Sequence, residues 1–402
     1  MQHSARGQSR VSASRRCAGE LPGNSVRSAS TKEWKRKIGL WLVVAWVAVV
    51  LGATSPAGAD YAGPVHSDEQ IKQLMEYRGP RTNPVLLRVW QTEFLGERFN
   101  RAIAVSEGGG YRVNWGRGKL EDATTDALRN CRDRTGSNCS LYAANMQITY
   151  PGLEYKVPEL NVQFGDFTFN NQYFFYGPRR AKGVLVWSHG TLNINGGCDD
   201  QRGAAAWAFV TRFNLAGWDV LRFDRDPCFD TTPRAFAQMG NSLPQLRDAG
   251  YQKIVLAGQS RGAWHSIQAL EIPEISLYIS AVIAISPASH GTRAKYVMSQ
   301  GSEDWKYMID HLNVPQTPVA IFMFSHDDYI PDAATRADYA RTILSQRGQK
   351  LILVYEDDDE IVRNSEGYYG GHAAARSPKF TRKYSDCLIR FASDGNKTGP
   401  CN

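Results

Sequence analysis

The sequence predicts an α/β fold with a mainly parallel sheet, preceded by a small disulfide-tied ββαβ module. Three observations carry that prediction. From about residue 158, short apolar runs alternate with stretches of helical spacing. Those runs are continuous rather than alternating, as strands covered by helices on both faces require. Ahead of them, between residues 98 and 157, alternating strand-like runs flank a single helical stretch. The chain of 402 residues is long enough for one large domain and a small one.

Residues 1–59 have the order of a signal peptide. Lys35-Arg36-Lys37 precedes the apolar run from Ile38 to Gly52, and Ala57-Gly58-Ala59 supplies small residues for cleavage before Asp60. Positive charge holds the start in the cytoplasm while the apolar run enters the membrane. That run is shorter than the roughly 20 residues of a comfortable spanning helix, so a periplasmic or secreted mature protein is expected. An uncleaved membrane anchor is the rival. The net charge of +7 belongs to this leader. It holds nine Lys/Arg and two Glu, and removing them from totals of 47 and 40 leaves 38 of each sign. The balance excludes a basic nucleic-acid or membrane-surface protein after cleavage.

Residues 60–97 carry a polar helix from Asp68 to Tyr77, broken by Pro80 and Pro84. In the module of residues 98–157, Arg101–Ser106 and Tyr111–Trp115 form a hairpin across Glu107-Gly-Gly-Gly110. Gly108–Gly110 is no dinucleotide loop, because no helix follows it. Leu120–Arg132 is helical, and Ser140–Ile148 reads as a third strand. Six cysteines remain after the leader, an even number without a Cys-x-x-Cys pair, which fits disulfides in an oxidising compartment. Proximity pairs Cys131 with Cys139, Cys198 with Cys228, and Cys387 with Cys401. The first bridge would brace a module too small to be robust alone. The module resembles small modules of secreted bacterial proteins with an Ala-Leu-x-x-Cys…Cys-x-Leu-Tyr-Ala pattern, here Ala127–Cys131 and Cys139–Ala143.

In residues 158–402 the strand-like runs are Phe167–Tyr176, Gly183–Trp187, Asp219–Phe223, Lys253–Ala257, Ala281–Ile285, Val319–Phe324 and Leu351–Tyr355. Helical stretches between them include Ala204–Leu215, Arg261–Leu270 and Ala333–Leu344. Catalytic groups on such sheets gather at the carboxyl ends of the strands.

One motif there carries chemistry. Gly258-Gln259-Ser260-Arg261-Gly262 follows the run Lys253–Ala257 and leads into a helix. In that setting a serine is held on a tight turn, and the glycines let neighbouring backbone pass close by. Here the chain resembles the α/β-hydrolase superfamily, over residues 158–402. The resemblance implies Ser260 as nucleophile, with its partners following in the order Ser, Asp or Glu, His. Val319–Phe324 runs into Ser325-His326-Asp327-Asp328-Tyr329-Ile330-Pro331, where the family's Asp-x-x-x-Pro turn matches Asp327; Asp328 is the alternative acid. Beyond that turn His372 is the sole histidine, so order alone selects it as general base. The oxyanion of an acyl-transfer intermediate needs N–H donors. One is expected from Arg261, the other from Thr191 in Ser188-His189-Gly190-Thr191, or from Gly190 if that loop is shifted. This turn resembles the His-Gly turn of esterase-like, dienelactone-hydrolase-like and serine-peptidase-like members, and differs from the His-Gly-Gly-Gly loop of lipases.

Other residues invite plainer readings. His189 fixes its loop, and His265 packs in the helix after Ser260. His290 and His326 are candidates for the pocket border. Trp305 and Tyr307 are candidates for either an aromatic wall or the core. Glu356–Glu360 lacks the ligand spacing of an EF-hand and reads as a solvated turn rather than a calcium site. The expectation is an exported serine hydrolase acting on a small-molecule acyl substrate, carboxylic ester first, amide or peptide second, with no metal or organic cofactor. Its rival is a non-catalytic envelope binding protein on the same scaffold. Oligomeric state is not legible.

Overall fold

Two sheets organise the described residues of the computed structural model, which are 61–79, 85–191, 206–289, 295–363, 370–395 and 401. The leader, Pro80, Pro84, Cys198 and His290 lie outside them.

The first sheet is antiparallel and five-stranded, in the order β2-β1-β3-β4-β5. Strands β1 (Ala102–Ser106) and β2 (Tyr111–Asn114) form the expected hairpin, with Ile103 opposite Val113. The Ser106 hydroxyl accepts from Gly110 N at 2.9 Å to close its turn. The helix Leu120–Thr135 lays Ala123, Ala127 and Cys131 on Ala102 and Ala104, small residues that let it approach closely. It ends at Gly136, whose φ of 65° is the left-handed cap glycine favours. The Cys131–Cys139 disulfide then ties the helix to β3 (Cys139–Ala144).

The single third strand expected over Ser140–Ile148 is two strands. The chain turns at Asn145, φ 47°, and returns as β4 (Gln147–Ile148), and β5 (Tyr155–Lys156) extends the sheet. Asn145 accepts from Arg101 N at 3.1 Å; a short polar side chain that visits this conformation makes the turn without glycine.

The second sheet has eight strands in the order β13-β12-β11-β10-β8-β9-β7-β6. Strands β8 (Val184–Ser188), β9 (Asp219–Phe223), β10 (Ile254–Gln259), β11 (Ala281–Ile285), β12 (Val319–Phe324) and β13 (Leu351–Glu356) run parallel. Antiparallel β7 (Phe167–Phe169) and β6 (Gln163–Phe164) close one edge. This is the mainly parallel sheet of an α/β-hydrolase fold. Every residue of β8, β11 and β12 is buried, which is why these runs do not alternate.

The run Phe167–Tyr176 leaves the sheet after Phe169. Its second half is held by side chains instead: Asn214 accepts from Phe174 N at 2.9 Å and donates to Phe174 O at 2.8 Å. Asp219 accepts from Tyr176 N at 2.6 Å and Gly177 N at 3.0 Å. The same stretch receives the N-terminal segment. His66 N donates to Phe175 O, His66 Nδ1 accepts from Phe175 N, and His66 Nε2 donates to Pro158 O, each at 2.9 Å.

One hydrophobic core runs beneath both sheets, joining Ile103, Val105 and Tyr142 to Phe169, Tyr173 and Phe175. Phe99 packs edge-on against Tyr173 at 5.5 Å. The buried Arg101 guanidinium lies over Phe99 at 4.4 Å and donates to Glu97 O at 2.7 Å, so its charge is not left bare. Trp305 belongs to this core, with Nε1 donating to Arg336 O at 3.1 Å, whereas Tyr307 is exposed and stacks on His311 at 4.0 Å.

Candidate active site

Ser260 occupies the step from β10 into the helix Arg261–Gln268 at φ 53°, ψ −121°. A non-glycine residue there costs on the order of 1–3 kcal/mol and persists only if its surroundings hold it. They do: Ser260 N donates to Ile285 O at 2.9 Å, and Ser260 O accepts from Trp264 N at 2.9 Å and Ala288 N at 3.3 Å. The flanking glycines are steric requirements. A Cβ on Gly258 would sit 2.4 Å from Gly262 C, and one on Gly262 would sit 2.0 Å from Ser188 O. The helix is thereby seated against the end of β8.

His372 stands on the short 3₁₀ turn Gly371–Arg376 beyond β13. Gly371 N donates to His326 O at 3.1 Å, and a Cβ there would lie 2.0 Å from Ser325 O, so only glycine lets the histidine loop close on the end of β12. The structure separates the two aspartates. Both Asp327 carboxylate oxygens lie 2.9 Å from His372 Nδ1, and that side chain is wholly buried. Asp327 Oδ1 also accepts from Tyr329 N at 2.9 Å and Ile330 N at 3.1 Å. Asp328 next to it is exposed. With Nδ1 donating to Asp327, Nε2 is the ring nitrogen left to take a proton. Tyr329 covers the imidazole face at 4.3 Å between ring centres. Gln259, beside the serine, donates through Nε2 to His372 O at 3.3 Å and ties the histidine loop to the serine turn.

The loop after β8 comes to the same place. A Cβ on Gly190 would lie 3.3 Å from Ser260 Cβ. Arg225, at the end of β9, holds that loop from behind. It donates to Ser188 Oγ at 2.7 Å, to His189 O at 2.8 Å and to Gly190 O at 2.5 Å. Burial pulls its guanidinium down to about 10, while Asp230 at 3.0 Å works to keep the charge. A trans peptide points its N–H opposite its C=O. With Gly190 O turned to Arg225, Thr191 N–H faces away from Arg225. Thr191 Oγ1 is buried and has no hydrogen-bond partner among the described residues. Arg261 N opens the helix on the other side of Ser260, and its guanidinium reaches Asp230 at 3.8 Å.

Neither Arg225 nor Gln259 is singled out by the sequence. His265 is a buried residue of the serine helix, with Nε2 3.2 Å from Thr232 Oγ1; burial, then the charges of Arg225 and Arg261, drive it well below its ordinary range. His326 is exposed, at φ 54°. Glu356 is buried and accepts from Lys383 at 2.8 Å and from Tyr384, so the acidic run starts in an ion pair rather than in solvent. Among the described residues, no group of three His, Cys, Asp or Glu is placed to hold a metal ion. Cys387 is bonded to Cys401. Cys228 is disulfide-bonded, and its expected partner Cys198 lies outside the described residues.

No protein-family model matches the chain, and no curated protein matches it. Solved structures do. Butyrate-bound esterase 2 of Thermogutta terrifontis is 15% identical over 55% of this chain and 88% of that one, with a TM-score of 0.38. An esterase of Pyrococcus furiosus is 14% identical over 52% of this chain and 81% of that one, TM-score 0.36. A puromycin-hydrolysing peptidase of Mycobacterium tuberculosis is 12% identical over 56% of this chain and 36% of that one, TM-score 0.38.

Proposed function

We propose that the chain is an exported serine hydrolase that cleaves carboxylic esters of small molecules through an acyl-enzyme. The observation that carries this reading is the Asp327–His372 pair, on a loop that Gln259 ties to the strained turn of Ser260. In this mechanism His372 Nε2 takes the Ser260 hydroxyl proton as Oγ attacks the ester carbonyl. Asp327 holds the imidazole in the tautomer that can accept and stabilises the imidazolium. The N–H groups of Arg261 and Thr191 receive the oxyanion. His372 then returns the proton to the leaving alcohol, activates a water, and the acyl group leaves as the acid.

Export draws support from the basic, apolar, Ala-x-Ala order of residues 35–59 and from the Cys131–Cys139 and Cys387–Cys401 disulfides. Among the described residues no helix is long and apolar enough to cross a membrane. Labelling of the purified protein by a fluorophosphonate, with peptide mapping, is expected to modify Ser260 alone. A panel of esters of varied acyl length is expected to give turnover that the label abolishes. An inert Ser260 in folded protein would sink the proposal and leave a binding protein on a hydrolase scaffold.

A further inference from the structure

A cavity of about 660 Å3 lies between the loop after β2 and the histidine loop, a volume typical of small-molecule sites. Gly370 and Ala373 line it, bracketing Gly371-His372. Ala373 is the next residue after His372, so the cavity adjoins the loop that carries the proposed base. Trp115 contributes from the other side.

Its charge is lopsided. Arg98, Arg117, Arg363 and Arg376 line it against a single acidic residue, Glu360. Three of these five are already paired: Arg117 with Asp126 at 2.8 Å, Arg363 with Asp359 at 3.3 Å, and Glu360 with Lys379 at 2.9 Å. Arg98 and Arg376 are not. Among the described residues neither has a carboxylate within 4.0 Å. Arg98 gives one hydrogen bond, to Gly116 O at 3.1 Å, and its buried Nε has no acceptor. Arg376 rests on the Trp207 ring at 5.7 Å. Burial first, then the charge of Arg376, holds the Arg98 guanidinium below its ordinary range, while the neighbouring Glu97 acts the other way. Two guanidinium groups that line one cavity and are engaged in no ion pair among the described residues are a site for an oxyanion, which each can grip with paired N–H donors.

We infer that this cavity receives an anionic group, carboxylate or phosphate, carried on the substrate, gripped by Arg98 and Arg376 while the ester lies at Ser260. The inference rests on the hydrolase reading and narrows its substrate class to acidic esters.

The test uses the full chain and two aryl esters of glutaric acid, one with its second carboxylate free and one with it methylated. kcat/KM is expected to be about tenfold or more higher for the anionic ester. In Arg98→Gln/Arg376→Gln that preference is expected to collapse towards one. A ratio taken within one protein does not depend on how much of a variant folds. A stronger preference for an ester bearing phosphate supports the inference equally and names the group. A wild-type ratio near one, or a preference the double substitution leaves in place, overturns it while hydrolysis itself stands. If Ser260 resists the fluorophosphonate and neither ester turns over, the hydrolase reading has failed and calorimetry with glutarate and with inorganic phosphate judges the cavity alone. Binding that is lost in the double variant supports the site; no binding of either anion overturns it.

Discussion

At the scale of single residues, adjacency in sequence does not mean equivalence. Asp327 and Asp328 leave the same turn, yet one carboxylate is buried against His372 Nδ1 and the other faces solvent. Asp327→Asn keeps the size but offers the wrong partner to the ring, and is expected to lower kcat about 10⁴-fold in folded protein. Asp328→Asn is expected to change it by less than about tenfold. Steady-state kinetics on any ester that turns over decides this, and reversed effects would move the acid role to Asp328. Arg225 makes a different demand. Arg225→Lys keeps a cation beside Asp230 but cannot span Ser188 Oγ, His189 O and Gly190 O together. On the proposed mechanism, in which Thr191 N–H receives the oxyanion, kcat is expected to fall about 10²-fold with KM little altered; a raised KM at unchanged kcat would make the loop a binding element instead. Ser260 and His372 stand out in sequence as candidates because their constraints are local or ordinal: glycines two residues either side of a serine, and one histidine left after the Asp327 turn. Arg225 is not legible, since its task exists only because β8 and β9 are neighbours.

At the scale of elements, the strands that sequence reading locates best are those buried on both faces, where apolar composition and sheet membership coincide. Phe167–Tyr176 misleads for that reason: its second half is buried, but Asn214 and Asp219 satisfy its backbone, and apolarity reports burial rather than pairing. The short β4 and β5 have too few residues for any period to appear. The segment ahead of the first helix adds a device that no pattern announces. His66 accepts from Phe175 N through Nδ1, which requires the neutral ring, and burial lowers its pKa from the ordinary 6.5. A base with a depressed folded value stabilises the fold above its unfolded pKa, and that contribution is lost as pH falls below about 6.5 towards the folded value. Hydrogen exchange at the Phe175 amide is therefore expected to quicken between about pH 7 and 5 beyond the intrinsic trend. An unchanged protection factor across that window would mean the ring stays neutral or the strap holds without it.

At the scale of the whole molecule, the two sheets do not have separate interiors. Tyr173 and Phe175 belong to the residues after 158 yet pack with Phe99, Ile103 and Tyr142 from the residues before it. Beginning the chain at residue 158 would uncover these aromatic faces, each worth roughly 1.5–3 kcal/mol of burial. Such a truncation is expected to be insoluble or to melt well below the full chain in a thermal scan, and a truncated protein as stable as the full one would make the first sheet a mere appendage. The disulfides carry a consequence for anyone producing this protein. Cys131–Cys139 fastens the helix of the first sheet, and Cys387–Cys401 fastens the last helix to the end of the chain. A host cytosol rich in glutathione would deliver polypeptide without either fastening, and a purification buffer with dithiothreitol could undo them afterwards. Recombinant protein is best routed through a bacterial periplasm and handled without reductant, and its free thiols counted before a preparation that turns nothing over is taken to be inert.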